Sequence, residues 1–404
     1  MNEKSKKRLE KFLRYVKIDT QSNEESNTSP SAEKEYDLLN LLKEELLALG
    51  LKDAAIDEYG RLYAHLDGEE GWERIGLNSH VDTASEASGK NVNPIIHENY
   101  DGKDIVLPSG LVTSVADFPR LKNYVGDTIV TTDGTTLLGG DDKAGLAIIM
   151  NALEELIEEG VPHHPVSVLF TPDEEIGRGP EYFNNERFGA EYAYTIDGAD
   201  PDLIEYENFN AAHAEVRIEG LAIHPGEAKG KLINALTLLE KLDLSLGVAR
   251  RPEMTEGYEG FFHLIAVKGD SASCEARYLI REHDKAKFEA MKQELLDHAR
   301  ELNAIYPKAK IDIHIKDDYR NMKEILDKDP RAIEHAKKAF AAANIPMRVD
   351  PIRGGTDGAT FSFLGCPTPN LGTGSYNHHG EREYLSLRDY ETLIELVKKI
   401  LTVR

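Results

Sequence analysis

Two histidines and several acids stand just after short apolar runs, far apart along the chain. They are His80 and Asp82 in NSHVDT, Asp141 in GGDDKAG, Glu174 and Glu175 in TPDEEIG, Asp197 in YTIDG, and His379 in YNHHG. Imidazole and carboxylate donors in that mixture suit a pair of borderline-to-hard divalent ions. Such a pair points to hydrolysis by a metal-activated water.

Each segment alone also has a plainer explanation. One residue separates His80 from Asp82, so in an extended chain both side chains point the same way. Asp82 can then hold the second ring nitrogen of a metal-bound His80; a loop histidine beside a capping aspartate is the competing explanation. Asp141 and Asp142 could neutralise a helix N-terminus, or one of them could bridge two cations. Glu174 and Glu175 follow a buried apolar strand, where adjacent acids are costly unless a cation or hydrogen bonds compensate. One of the two suits a metal; Glu174 suits a general base that later returns its proton. Asp197 and His379 are individually unremarkable. Their joint occurrence at successive strand ends favours a metallohydrolase. His224 in AIHPG could stabilise an oxyanion or be a turn histidine. Arg281 and Arg353 could clamp a substrate carboxylate or join surface ion pairs.

The elements that must carry these residues read as α/β. Leu9, Phe12, Leu13 and Val16 have helical spacing. A second helix is expected from Ser29 as cap and Pro30 as first helical residue to the stop at Gly50. Short buried strands precede His80, Glu174 and Asp197, and a helix follows GGDDKAG until Gly160 ends it. The stretch from Ala84 to Lys122 is long and weakly periodic, which marks a functional or locally ordered loop. From about residue 210 the order becomes β-α-β-β-α-β, the ferredoxin-like arrangement, with a helix carrying Leu232, Leu236, Leu239 and Leu242. The expected architecture is therefore a phosphorylase/hydrolase-like mixed-sheet catalytic domain over 1–209 and 321–404, with an inserted ferredoxin-like α+β lid domain over 210–320. Ligands in such sheets collect beyond the C-terminal strand ends.

Bulk properties agree with that reading. At 404 residues the chain exceeds the size at which a single core stops growing. A net charge of -24 with no basic stripe argues against nucleic acid and anionic membranes. The N-terminus lacks the apolar core of a secretory signal, and no window is long and apolar enough to span a membrane. Two cysteines, Cys274 and Cys366, make no disulfide framework and fit a reducing cytoplasm.

These segments together resemble the M20 dinuclear zinc peptidases, and within them the tripeptide-aminopeptidase branch of subfamily M20B. The resemblance covers essentially the whole chain. HVDT, DDKAG and DEE are shared widely in the family; SGKNVNP and EMTEGYEGF are shared with the tripeptide branch. The resemblance implies that His80 and Asp197 bind one ion, Glu175 and His379 the other, and that Asp141 bridges them. It implies Glu174 as general base, Asp82 as the residue orienting His80, His224 near the scissile carbonyl, and Arg281 in substrate binding. Arg353 is a further candidate at the substrate carboxylate. The ions implied are zinc, with cobalt or manganese as alternatives. The expected substrates are short peptides, and the expected assembly is a monomer or homodimer. A related dipeptidase, an N-acyl-amino-acid deacylase and a non-catalytic peptide-binding relative are the alternative functions.

Overall fold

The computed structural model describes residues 1–404. They form two compact units. The first comprises Met1–Tyr206, Glu324–Asp350 and Thr356–Arg404; the second comprises Glu207–Lys323 and Pro351–Gly355.

The first unit is built on an eight-stranded mixed sheet. Its strand order is Ala55–Ile56, Leu62–Leu66, Val166–Thr171, Ile75–His80, Tyr192–Gly198, Asn370–Gly372, Leu203–Glu205 and Arg348–Val349. The four strands from Val166–Thr171 to Asn370–Gly372 run parallel. Every residue of Ile75–His80 and Val166–Thr171 is buried. Central parallel strands covered on both faces read as continuous apolar runs for that reason. The helix Gly140–Glu159 is buried along most of its length and packs against this sheet and against the helices Glu3–Tyr15 and Leu387–Thr402. Gly160 ends it in the left-handed region at φ 59°, which glycine enters without penalty. No helix is long and apolar enough to cross a membrane.

The second unit has the β-α-β-β-α-β order, with helices Ala235–Ser245 and Lys285–Ile305. Its antiparallel sheet runs Phe261–Gly269, Ser273–Glu282, Asn210–Glu219, Lys310–Tyr319. Alternate residues Ala212, Ala214, Val216 and Ile218 join one apolar cluster with Leu238, Leu242 and Leu295 of the helices. Glu215, Arg217 and Glu219 occupy the opposite face and are exposed. Period-two alternation with one solvated face is what an antiparallel sheet covered on one side requires.

Several expectations from sequence need correction. Ser29 and Pro30 do not open the second helix, which spans Glu35–Ala48. The Ser29 hydroxyl donates to the Tyr59 carbonyl, and the Ser31 N–H donates to Asp173, so this stretch is held by tertiary partners. Leu232 lies outside its expected helix, which begins at Ala235 with Asn234 as cap. Pro351–Gly355 groups with the second unit although it was expected in the first. The reason is local bonding: the Ile352 carbonyl accepts from His283, and the Arg353 guanidinium donates to the Gly257 and Glu259 carbonyls.

Candidate metal centre

His80 is the last residue of its strand. Its Nε2 lies 3.1 Å from Asp141 Oδ1 and 3.6 Å from Asp197 Oδ1. Its Nδ1 faces Asp82, 3.1 Å from the backbone carbonyl and 3.3 Å from the carboxylate. Asp82 does more than hold that ring. Its two carboxylate oxygens accept the N–H groups of Glu174 at 2.9 Å and Glu175 at 3.1 Å. One fully buried acid thereby sets the position of a histidine and of the acid pair beside it.

On the other side, His379 Nε2 lies 3.0 Å from Glu175 Oε2 and 3.3 Å from Asp141 Oδ2. Two donor groups result, His80–Asp141–Asp197 and Asp141–Glu175–His379, each with its ligand atoms within 4.8 Å of one another. Asp141 is common to both and offers one oxygen to each histidine. Asp142 faces away from that role. Its carboxylate accepts from the Ser79 hydroxyl and from the N–H groups of His80 and Gly145. Asp141 and Asp142 depart from helical dihedrals at the start of Gly140–Glu159, and the peptide bond between them is cis.

The electrostatics are those of an acid cluster that wants positive charge. Burial and the neighbouring Asp141 carboxylate push Glu175 up to about 7 and Asp197 up to about 6. Burial, with the charges of Asp357, Asp197 and Glu175, holds Glu174 well above the usual carboxylate range. Burial opposes ionisation of Asp141 too, but His378, His379 and His80 keep its carboxyl well below that range. Hydrogen bonds to Asp141 and Glu175 push His379 up to about 11. Glu175 Oε1 is buried without a hydrogen-bond partner. A divalent cation in each group would meet imidazole and carboxylate donors and relieve this crowding, so the residues fit such ions.

Sequence reasoning missed three residues at this centre. Glu383, fully buried, accepts the N–H groups of Leu138 and Gly139 at 2.8 Å each and of Asp141 at 3.1 Å. His378 Nδ1 lies 3.3 Å from Asp141 Oδ2. Glu86 Oε1 lies 3.4 Å from His379 Nδ1. No periodicity marks any of them, since each acts through a partner remote in sequence or through a loop backbone.

His224, Arg281 and Arg353 belong to the second unit. His224 Nδ1 accepts from the Gly226 N–H and caps a short turn. Arg281 donates to the Ala212 and Ile280 carbonyls and lies over the Tyr319 ring. Arg353 spends its donors on the Thr255–Glu259 loop and sits over Phe209. That bonding ties Arg353 to the Thr255–Glu259 loop.

Two imidazole–carboxylate donor groups that share Asp141 at the edge of a parallel sheet fit the class of metal-dependent hydrolases. The family model for peptidase family M20/M25/M40 matches residues 133–403, and the chain belongs to that family. Among its relatives, peptidase T of Geobacillus thermodenitrificans is 45% identical, the match covering 96% of this chain and 97% of that protein. Two solved structures share the fold at a TM-score of 0.78 with 98% of each chain covered: aminopeptidase PepT from Bacillus cereus at 22% identity, and a tripeptidase from Staphylococcus aureus at 21%.

Proposed function

We propose that the chain is a dinuclear metallo-aminopeptidase that releases the N-terminal residue from tripeptides. The observation that carries this reading is the pair of donor groups sharing Asp141, with Glu174 beside them and outside both. Peptidase T at 45% identity over nearly the full length supports the substrate class.

His80, Asp141 and Asp197 would hold one divalent ion, and Asp141, Glu175 and His379 the other; zinc is the proposed metal, and cobalt or manganese fits the same donors. When bound, such a pair supplies Lewis-acid chemistry: it acidifies a water and polarises the scissile carbonyl. Everything else is done by the chain. Glu174 Oε2 lies 4.0 Å from His80 Nε2, close enough to the centre to take a proton from the attacking water. Burial first, and the neighbouring acids with it, hold the Glu174 carboxyl high; with positive charge bound beside it, Glu174 would act in its ionised form. It then gives the proton to the leaving amine, serving as base and acid in turn. Asp82 keeps Glu174 in place through the backbone. We assign the developing oxyanion to His224 and the substrate carboxylate to Arg281, each a side chain able to donate to negative oxygen.

The test is turnover of matched tripeptides, dipeptides and N-acylated amino acids by the Zn2+-loaded protein. Rapid release of the first residue from tripeptides, with the other two classes slow, is expected. Fast deacylation with inert tripeptides would overturn the assignment.

A further inference from the structure

The imidazoles of the two donor groups, His80 and His379, are supported unequally. His80 is 2% exposed, and its Nδ1 faces the fully buried Asp82. His379 is 40% exposed, and its Nδ1 faces Glu86, itself 61% exposed. Yet the loop that carries Glu86 is braced. The Gln21 amide donates to the Ala84 carbonyl at 2.9 Å and to the Ala87 carbonyl at 3.0 Å, on either side of Glu86. Thr83 pairs with Gln21 and its carbonyl accepts from the Ser22 N–H, while the Ser88 carbonyl accepts from Leu137 N–H.

We propose that Glu86 is a positioning residue for His379, in the way that Asp82 is for His80. A carboxylate that accepts the Nδ1–H leaves Nε2 bare towards Glu175 and Asp141, fixes the ring orientation, and raises its basicity as a ligand. Gln21 contributes by holding the loop at the height that lets Glu86 reach. Because the ion-pair partner of Glu86 is His379, which belongs to one donor group, its influence falls on one ion. The inference rests on the proposed ligand assignment, in which His379 serves the group with Glu175.

The experiment is a titration of the metal-stripped, full-length protein with Zn2+ alone, in competition with a chromophoric chelator. Wild type should show two binding steps. Glu86→Ala should weaken one step about 10-fold, the lower end of what loss of such an outer partner costs, and leave the other step unchanged. Glu86→Gln, whose amide oxygen can still accept the Nδ1–H, should recover part of the loss. The melting temperature of the metal-free Glu86→Ala protein should equal that of wild type, since the side chain is mostly in water. Asp197→Asn identifies the other step, because Asp197 belongs to the His80 group alone. Unchanged affinities in Glu86→Ala would overturn the proposal. So would equal weakening of both steps with a lower metal-free melting temperature, which would mark a loop brace only. A wild-type protein with fewer than two steps would instead remove the two-ion assignment, and this inference with it.

Discussion

At the scale of single residues, the proposed centre separates ligation from proton transfer. Glu174 stands outside both donor groups. Glu174→Gln should therefore keep both ions, as measured by elemental analysis, while kcat falls by about 10²–10⁴, the range for a general base. Full activity in that variant would reassign the base. Asp141 is shared, so Asp141→Ala should lose affinity for both ions, whereas Asp197→Asn should lose affinity for one. Glu383 gives a sharper chemical test. Oε2 accepts two backbone N–H groups and Oε1 accepts one, so an amide NH2 at either position opposes at least one donor. Glu383→Gln should cost about 1–3 kcal/mol of stability, the penalty for an unpaired buried polar group. Urea denaturation measures it, and an unchanged midpoint would contradict the geometry.

Among the elements, the sheet decides which residues meet. Ile75–His80 lies between Val166–Thr171 and Tyr192–Gly198, and all three run parallel. Their C-terminal ends therefore deliver His80, Glu174, Glu175 and Asp197 to one edge, where open α/β sheets place ligands. The helix Gly140–Glu159 must come close to that edge to present Asp141. Gly145 permits the approach, since a Cβ there would collide with the Ile196 carbonyl and the Asp142 carboxylate. Gly145→Ala should destabilise the fold by about 1–3 kcal/mol, as overpacking does, and weaken metal binding with it. Thermal unfolding with and without Zn2+ reads both effects, and a variant matching wild type in each would show that the helix has room.

This element scale also shows where sequence reading works and where it fails. VSVLF and AYTI are apolar because both faces of those strands are covered, and that pattern is local. Gly160 as a helix stop is local as well. Ser29 and Pro30 carry a helix-start signature of equal strength, yet Ser29 is bonded to Tyr59 and the neighbouring Ser31 to Asp173. A capping preference of about 1 kcal/mol is easily outweighed by such buried tertiary bonds.

For the molecule as a whole, the centre couples metal, protons and pH. In the metal-free protein, hydrogen bonds to Asp141 and Glu175 push His379 up to about 11, and burial pushes Glu175 up to about 7. Near neutral pH, His379 then carries a proton and Glu175 carries one part of the time. Ligation needs both groups deprotonated, so loading must expel protons. Raising the pH removes those protons beforehand, so Zn2+ affinity should rise with pH, and loading at about pH 6–7 should acidify a weakly buffered solution. Proton release followed by pH-stat, alongside affinity at several pH values, checks this. An affinity flat across that range would mean that these groups are not the ligands.

The amino-acid sequence by itself determined the donor types, their positions after apolar strands, and the β-α-β-β-α-β order of the second unit. Those are properties of short segments, set by side-chain chemistry and by periods of 2 and 3.6 residues. Tertiary structure alone decided that Asp142 turns to Ser79 and Gly145, that Asp82 pins the backbone of Glu174 and Glu175, and that Glu383 and Glu86 lie beside the centre. It also decided that Arg353 holds a loop. Each of these depends on where two distant segments meet, and proximity in space follows from strand order and packing, which no local pattern encodes.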